Sequence, residues 1–150
     1  MYLVRHAKAG SRSGWVGPDE KRPLSKGGRE QADALARNLA ETPVTRIVSS
    51  PYVRCMETVT PLGTKLGVAV EPNKALAEGR NAHAAVELLA SLPDDAVLCS
   101  HGDIIPAVVE ALVRQGMQVH GEPDWRKGTV WVLDREGDEF VHAVALPPPA

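Results

Sequence analysis

The residues most able to do chemistry are two histidines and two arginines set far apart in the chain: Arg5 and His6, Arg54, and His101. Guanidinium groups offer forked donors that match phosphate oxygens and stay charged at any working pH. Imidazole is a nucleophile when neutral and a charged donor when protonated. Together they suit a phosphoryl group: one histidine attacks phosphorus, the other stabilises the equatorial oxygens, and the arginines neutralise charge in the transition state. Taken singly, each is weak evidence, because a lone histidine near a strand end is more often structural. The argument rests on bringing them together.

The pattern of elements predicts that meeting. Tyr2-Leu3-Val4 reads as a strand ending at Arg5-His6, and Arg46 to Ser49 as one running into Ser50-Pro51 and Arg54. Val68 to Val70 reads as a third strand, and Ala96 to Cys99 as a fourth, ending in Ser100-His101-Gly102-Asp103. Between them lie a helix capped by Ser25 with apolar positions Ala32, Leu35, Ala36, Leu39 and Ala40, one over 53–66 that Pro61 should kink or restart, and one from Asn81 to Leu92. Asp103 is expected to cap a last helix, which stops at Gly116. Val130–Leu133 and Phe140–Leu146 flank a polar turn at Gly137 and read as a hairpin. The expected fold is therefore α/β: a three-layer α/β/α sandwich, mostly parallel, with an antiparallel edge hairpin. In such sheets ligands bind at the carboxyl ends of the strands, where all four residues fall.

Composition bounds the rest. At 150 residues, 43% hydrophobic and 24% charged, the chain (1–150) fits one folded domain and not a disordered one. No apolar run can span a bilayer and no signal peptide is evident, so the expectation is a cytoplasmic protein without membrane contact. Two cysteines, Cys55 and Cys99, exclude a disulfide framework and read as free thiols. The formal net charge of −2 averages a +5 segment over 1–29 with a −7 remainder, which favours an anionic ligand. The basic segment is local and no nucleic-acid motif accompanies it, so no nucleic-acid partner is expected.

The motifs themselves carry a resemblance. Arg5-His6-Ala7, Ser50-Pro51-Tyr52-Val53-Arg54-Cys55-Met56-Glu57-Thr58 and Ser100-His101-Gly102 resemble the three signatures of the histidine phosphatase (phosphoglycerate mutase-like) superfamily. Leu24-Ser25, Gly28 and Gln31-Ala32 resemble its first helix, and the match spans 2 to about 135 in the right order. The resemblance implies a metal-independent phosphatase without cofactor. In it His6 accepts the phosphoryl group, Arg5 and Arg54 bind its oxygens, and His101 with Gly102 completes the pocket. It also implies a proton donor after the third strand, for which Glu78 is the candidate and Asp19 and Asp103 the alternatives.

Ala7 departs from the superfamily's usual glycine. With the short chain and Arg126-Lys127-Gly128-Thr129 before a strand, it resembles the SixA-type phosphohistidine phosphatases. It equally resembles the phosphatase half of two-domain Nudix hydrolases. The stretch from Glu71 to Asp95 is too short for a large lid, which disfavours a mutase and favours an open pocket. The leading expectation is thus a SixA-type phosphatase whose partner is a phosphohistidine-bearing protein, and the alternative is one acting on a nucleotide or another small phosphorylated metabolite. Lys8, Ser11 and Arg12 are possible substrate contacts, although solvated loop residues are the plainer description. Trp15 can stack on a base or simply pack. Two other classes stay open: His6, His101 and Asp103 as ligands of a divalent metal, and a phospho-ligand binding module without turnover.

Overall fold

The computed structural model describes residues 1–149. Seven strands form one sheet: β1 (Tyr2–Arg5), β2 (Ile47–Ser49), β3 (Val70–Pro72), β4 (Val97–Ser100), β5 (Gln118–His120), β6 (Val130–Glu136) and β7 (Glu139–Leu146). Four helices accompany them: α1 (Lys26–Asn38), α2 (Val53–Leu66), α3 (Ala82–Ser91) and α4 (Ile104–Arg114). The strand order is β3-β2-β4-β1-β6-β7-β5. β1, β2, β3 and β4 pair in parallel, while β6 is antiparallel to both β1 and β7.

Strand alternation sorts the core into two layers. Leu3, Val48 and Leu98 pack with Ala85 and Leu89 of α3 and with Ile105, Val108 and Leu112 of α4. Their neighbours Val4, Ile47, Val97 and Cys99 pack on the other face with Leu35 and Ala36 of α1 and Cys55, Val59 and Leu62 of α2. The helices therefore cover both faces of the sheet, as the expected sandwich requires. Each buried Leu, Ile or Val contributes about 2 kcal/mol. The central strands β1 and β4 are buried from both sides and so hold the site rigidly.

Local signals explain most boundaries. The Ser25 hydroxyl accepts from Gly28 N–H at 3.1 Å and the Asn81 side chain from His83 N–H at 3.0 Å, so both expected caps are formed. α2 runs through Pro61 as one helix. It ends at Gly67, whose φ is 70°, and there Val68 N–H donates back to the Gly63 carbonyl at 2.9 Å. That closure uses Val68 for the helix terminus, so β3 starts at Val70 rather than at Val68. Beyond the hairpin lies a strand the sequence reading did not include. β5 pairs in parallel with β7 along the outer edge of the sheet.

Candidate active site

The crevice lies where the parallel strands end. A cavity of about 390 Å³ is lined by Arg5, His6, Arg54, Glu78, Gly102 and Asp103, among others, and from the loop after β1 by Gly10, Ser11, Arg12 and Arg22. Lys127 also lines it. His101 is 1% exposed and lies against His6, with ring centroids 5.5 Å apart at a steep angle. Sequence positions separated by a hundred residues are thus brought to one spot.

His6 is held by the sheet and by α2. Its backbone N–H donates to the Ser100 carbonyl at 3.0 Å, extending the β1–β4 pairing by one residue. The next amide, Ala7 N–H, donates to the Thr58 hydroxyl at 2.9 Å, and that hydroxyl donates to the Arg54 carbonyl at 2.7 Å. His6 and the Arg54 backbone are therefore linked through one side chain. The His6 Nδ1 lies 2.8 Å from the Ala7 carbonyl oxygen. A carbonyl can only accept, so Nδ1 carries the proton and Nε2 is the basic atom. Burial, and then the nearby His101, Arg54 and Arg5, push the His6 pKa down to about 3, outweighing that hydrogen bond. His6 is a neutral imidazole with a defined tautomer.

The two arginines are buried differently. Arg5 donates to the Trp125 carbonyl and lies across Gly102, where a Cβ would come within 2.7 Å of the guanidinium carbon. Gly102 is thus needed for space, beyond any phosphate contact. Arg54, only 1% exposed, donates to the Asp19 carbonyl at 3.0 Å, to the Asp19 carboxylate at 3.1 Å and to the Glu78 carboxylate at 3.2 Å. It also sits over the Tyr52 ring at 4.9 Å. The Nε–H groups of both Arg5 and Arg54 are buried without a partner among the described residues. Both side chains also line the cleft, and two guanidinium groups converging on one cavity suit an anion.

The carboxylates separate in role. Glu78 reaches the cleft and meets Arg54 and, at 3.3 Å, Arg12. Asp19 meets Arg54 and, at 3.0 Å, Arg22. Burial pushes the Asp19 carboxyl up, but the hydrogen bond from Arg22 and the charge of Arg54 hold it below its usual range overall. Asp103 does not cap α4 with its side chain, as had been expected. Its carboxylate accepts from Gly79 N–H at 2.8 Å and so tethers the loop that carries Glu78. His101 is likewise committed, with Nε2 2.8 Å from the Ser50 hydroxyl and 3.5 Å from the Cys55 sulfur. Each group of the proposed metal set of His6, His101 and Asp103 thus has another bond, and the described residues contain no group of three or more such side chains placed to hold a metal ion. Both cysteines are free and buried.

The structure places Arg5, His6, Ser11, Arg12, Arg54, Glu78, His101 and Gly102 at or beside the cleft, but not every expected contact lies there. Lys8 is exposed and absent from the lining; its backbone serves structure, donating to Gln31 at 3.0 Å and accepting from Ser25. Trp15 is spent locally, its indole N–H donating to the Pro18 carbonyl at 2.9 Å. Conversely, Arg22 and Lys127 line the cleft and were not singled out as site residues. Lys127 precedes Gly128, whose N–H donates to the carbonyls of both Arg5 and His6 at 3.2 Å. Burial, then Arg5, Arg22, Arg54 and Arg12, lower its pKa.

The match to known proteins agrees with this geometry. Residues 1–81 match the family model of the histidine phosphatase superfamily, branch 1, and the chain belongs to that superfamily. Among curated proteins it is 35% identical over 155 residues to an 8-oxo-(d)GTP phosphatase of Mycolicibacterium smegmatis, a match covering 99% of this chain and 48% of that protein. The chain therefore spans about half the length of this curated relative. Among solved structures it is similar to the protein histidine phosphatase SixA in complex with tungstate, with a TM-score of 0.73, 18% identity, and coverage of 93% and 91%. It is also similar to a mycobacterial glucosyl-3-phosphoglycerate phosphatase, with a TM-score of 0.68, 20% identity, and coverage of 97% and 95%. At these identities the two structures establish the shared fold.

Proposed function

We propose that this chain is a phosphatase that works through a phosphohistidine on His6 without a metal ion. The observation that carries the reading is a neutral His6, its Nδ1–H bound to Ala7, that lines one cleft together with the guanidinium groups of Arg5 and Arg54. In the first step His6 Nε2 forms a bond to phosphorus while the bond to the leaving oxygen breaks. Arg5, Arg54 and His101 stabilise the charge on the equatorial oxygens. The arriving phosphoryl group takes over the Arg54 donors and releases Glu78, which picks up a proton from solvent and passes it to the leaving oxygen. In the second step Glu78 takes a proton from water as that water attacks phosphorus, freeing His6 and orthophosphate.

Of the two substrate classes expected from the sequence, a nucleotide has the stronger support, since the 35% identical relative is an 8-oxo-(d)GTP phosphatase. The phosphohistidine reading rests on the open cleft and a fold shared with SixA at 18% identity. Rapid quench with γ-labelled nucleoside triphosphates and with labelled phosphohistidine protein tests the mechanism and separates the classes. An acid-labile, base-stable phosphoenzyme is expected with wild type and absent in His6→Ala, whose turnover should fall by at least ~10³-fold. Equal rates in the two proteins would refute the mechanism. Glu78→Gln should slow phosphate esters of poor leaving groups most, and a uniform rate would remove Glu78 as the acid.

A further inference from the structure

A second cavity, of about 420 Å³, adjoins the cleft, and Glu78 is the one residue lining both. This position has a consequence if Glu78 protonates the leaving oxygen. A general acid must lie within hydrogen-bond reach of that oxygen, so the leaving group passes beside Glu78, and the cavity that Glu78 lines next to the cleft is within its reach. Its inner wall is made by Pro51, Tyr52 and Ala77, and its rim carries Lys21, Lys74 and Arg80.

The chemistry of that wall and rim is specific. Lys21, Lys74 and Arg80 are exposed, and none forms an ion pair with a carboxylate among the described residues, whereas Arg12, Arg22 and Arg54 in the phosphoryl cleft all do. Glu20 is the only other acid lining the cavity besides Glu78. A neutral alcohol leaving group has no use for three unpaired cations. A leaving group bearing its own phosphate does, and the Tyr52 ring gives a flat surface suited to a base.

We propose that this second cavity is a leaving-group site for a nucleoside phosphate, so that the bond cleaved is a phosphoanhydride at the end of a nucleoside di- or triphosphate. The assignment rests on the phosphatase reading above and deepens it. The P–N bond to His6 forms as the bond from phosphorus to the bridging oxygen breaks. That oxygen departs on the shortened nucleotide with the proton from Glu78. Water then cleaves the P–N bond, returns a proton to Glu78 and releases orthophosphate. Lys74 and Arg80 hold the phosphate next to the bridge, and Tyr52 lies under the base.

The test compares kcat/KM for GTP with that for phenyl phosphate in wild type and in the double variant Lys74→Ala/Arg80→Ala, with thermal melting to confirm folding. The ratio of GTP to phenyl phosphate efficiency should fall by at least ~10-fold, mainly through KM for GTP, and Lys74→Arg/Arg80→Lys should largely restore it. An unchanged ratio overturns the assignment, as does a loss shared equally by both substrates. A selective loss toward phosphohistidine protein instead would make the cavity a protein-docking site and also overturns it. Wild type that forms the His6 phosphoenzyme from phenyl phosphate but not from any nucleoside di- or triphosphate refutes this site alone. Failure to form a phosphoenzyme from any substrate removes the phosphatase reading with it.

Discussion

At the residue scale, the nucleophile candidate is maintained at a cost in stability. An exposed histidine titrates near 6.5, whereas burial and neighbouring cations bring His6 to about 3. Between these values the unfolded chain binds a proton that the folded chain refuses, so stability falls as pH drops through that window. Above pH ~6.5 neither state is protonated there and the effect vanishes. Over the full window it amounts to a few kcal/mol. Replacing His6 with Ala removes this pH dependence, though it also leaves a small cavity. The melting temperature of wild type should therefore decline more steeply between pH 6.5 and 4 than that of His6→Ala; parallel curves would mean that His6 titrates normally. The same neutrality predicts that activity toward a fixed ionic form of substrate has no acid limb centred on 6.5.

At the element scale, two glycines separate what holds the fold from what shapes the cleft. A Cβ at Gly28 in α1 would stand 1.8 Å from the Lys8 carbonyl oxygen, backbone that is itself bonded to Ser25. Gly28→Ala must push α1 away from the loop after β1, and should cost about 3 kcal/mol, read by denaturant unfolding. A Cβ at Gly102 meets the Arg5 guanidinium, the movable end of a side chain. Gly102→Ala should therefore cost less than ~1 kcal/mol of stability but lower kcat/KM about 10²-fold by displacing Arg5. If the two variants lose stability equally, the distinction drawn here is wrong. What the sequence made legible follows the same division. Apolar runs ending in polar residues mark β1, β2 and β4, and hence the meeting of His6, Arg54 and His101. β5 escaped because Gln118 and His120 are exposed and its pairing to β7 depends on the edge of a sheet already assembled. The tether from Asp103 to Gly79 escaped for a similar reason: an acid before a helix looks like a cap whatever loop lies above it.

At the scale of the whole molecule, the uneven charge was a useful signal with imperfect resolution. From the +5 segment, Arg5, Arg12 and Arg22 do line the cleft, but Lys8 does not, while Arg54 and Lys127 arrive from elsewhere. Pairing refines the count further. Arg12, Arg22 and Arg54 are each engaged by Asp19 or Glu78, whereas Arg5 and Lys127 meet no carboxylate among the described residues. The cleft thus retains roughly the uncompensated charge of one phosphoryl dianion, supplied entirely by side chains. Activity should therefore persist in excess chelator, because no step of the proposed mechanism needs an added cation. KM should rise several-fold between ~0.05 and ~0.5 M salt, since the Debye length shrinks from about 14 Å to about 4 Å over that range. Lys127→Ala should flatten this salt dependence by removing one of the two unpaired cations. Loss of activity in chelator that a divalent metal restores would show that the protein's own cations do not suffice, and would return the mechanism to a metal.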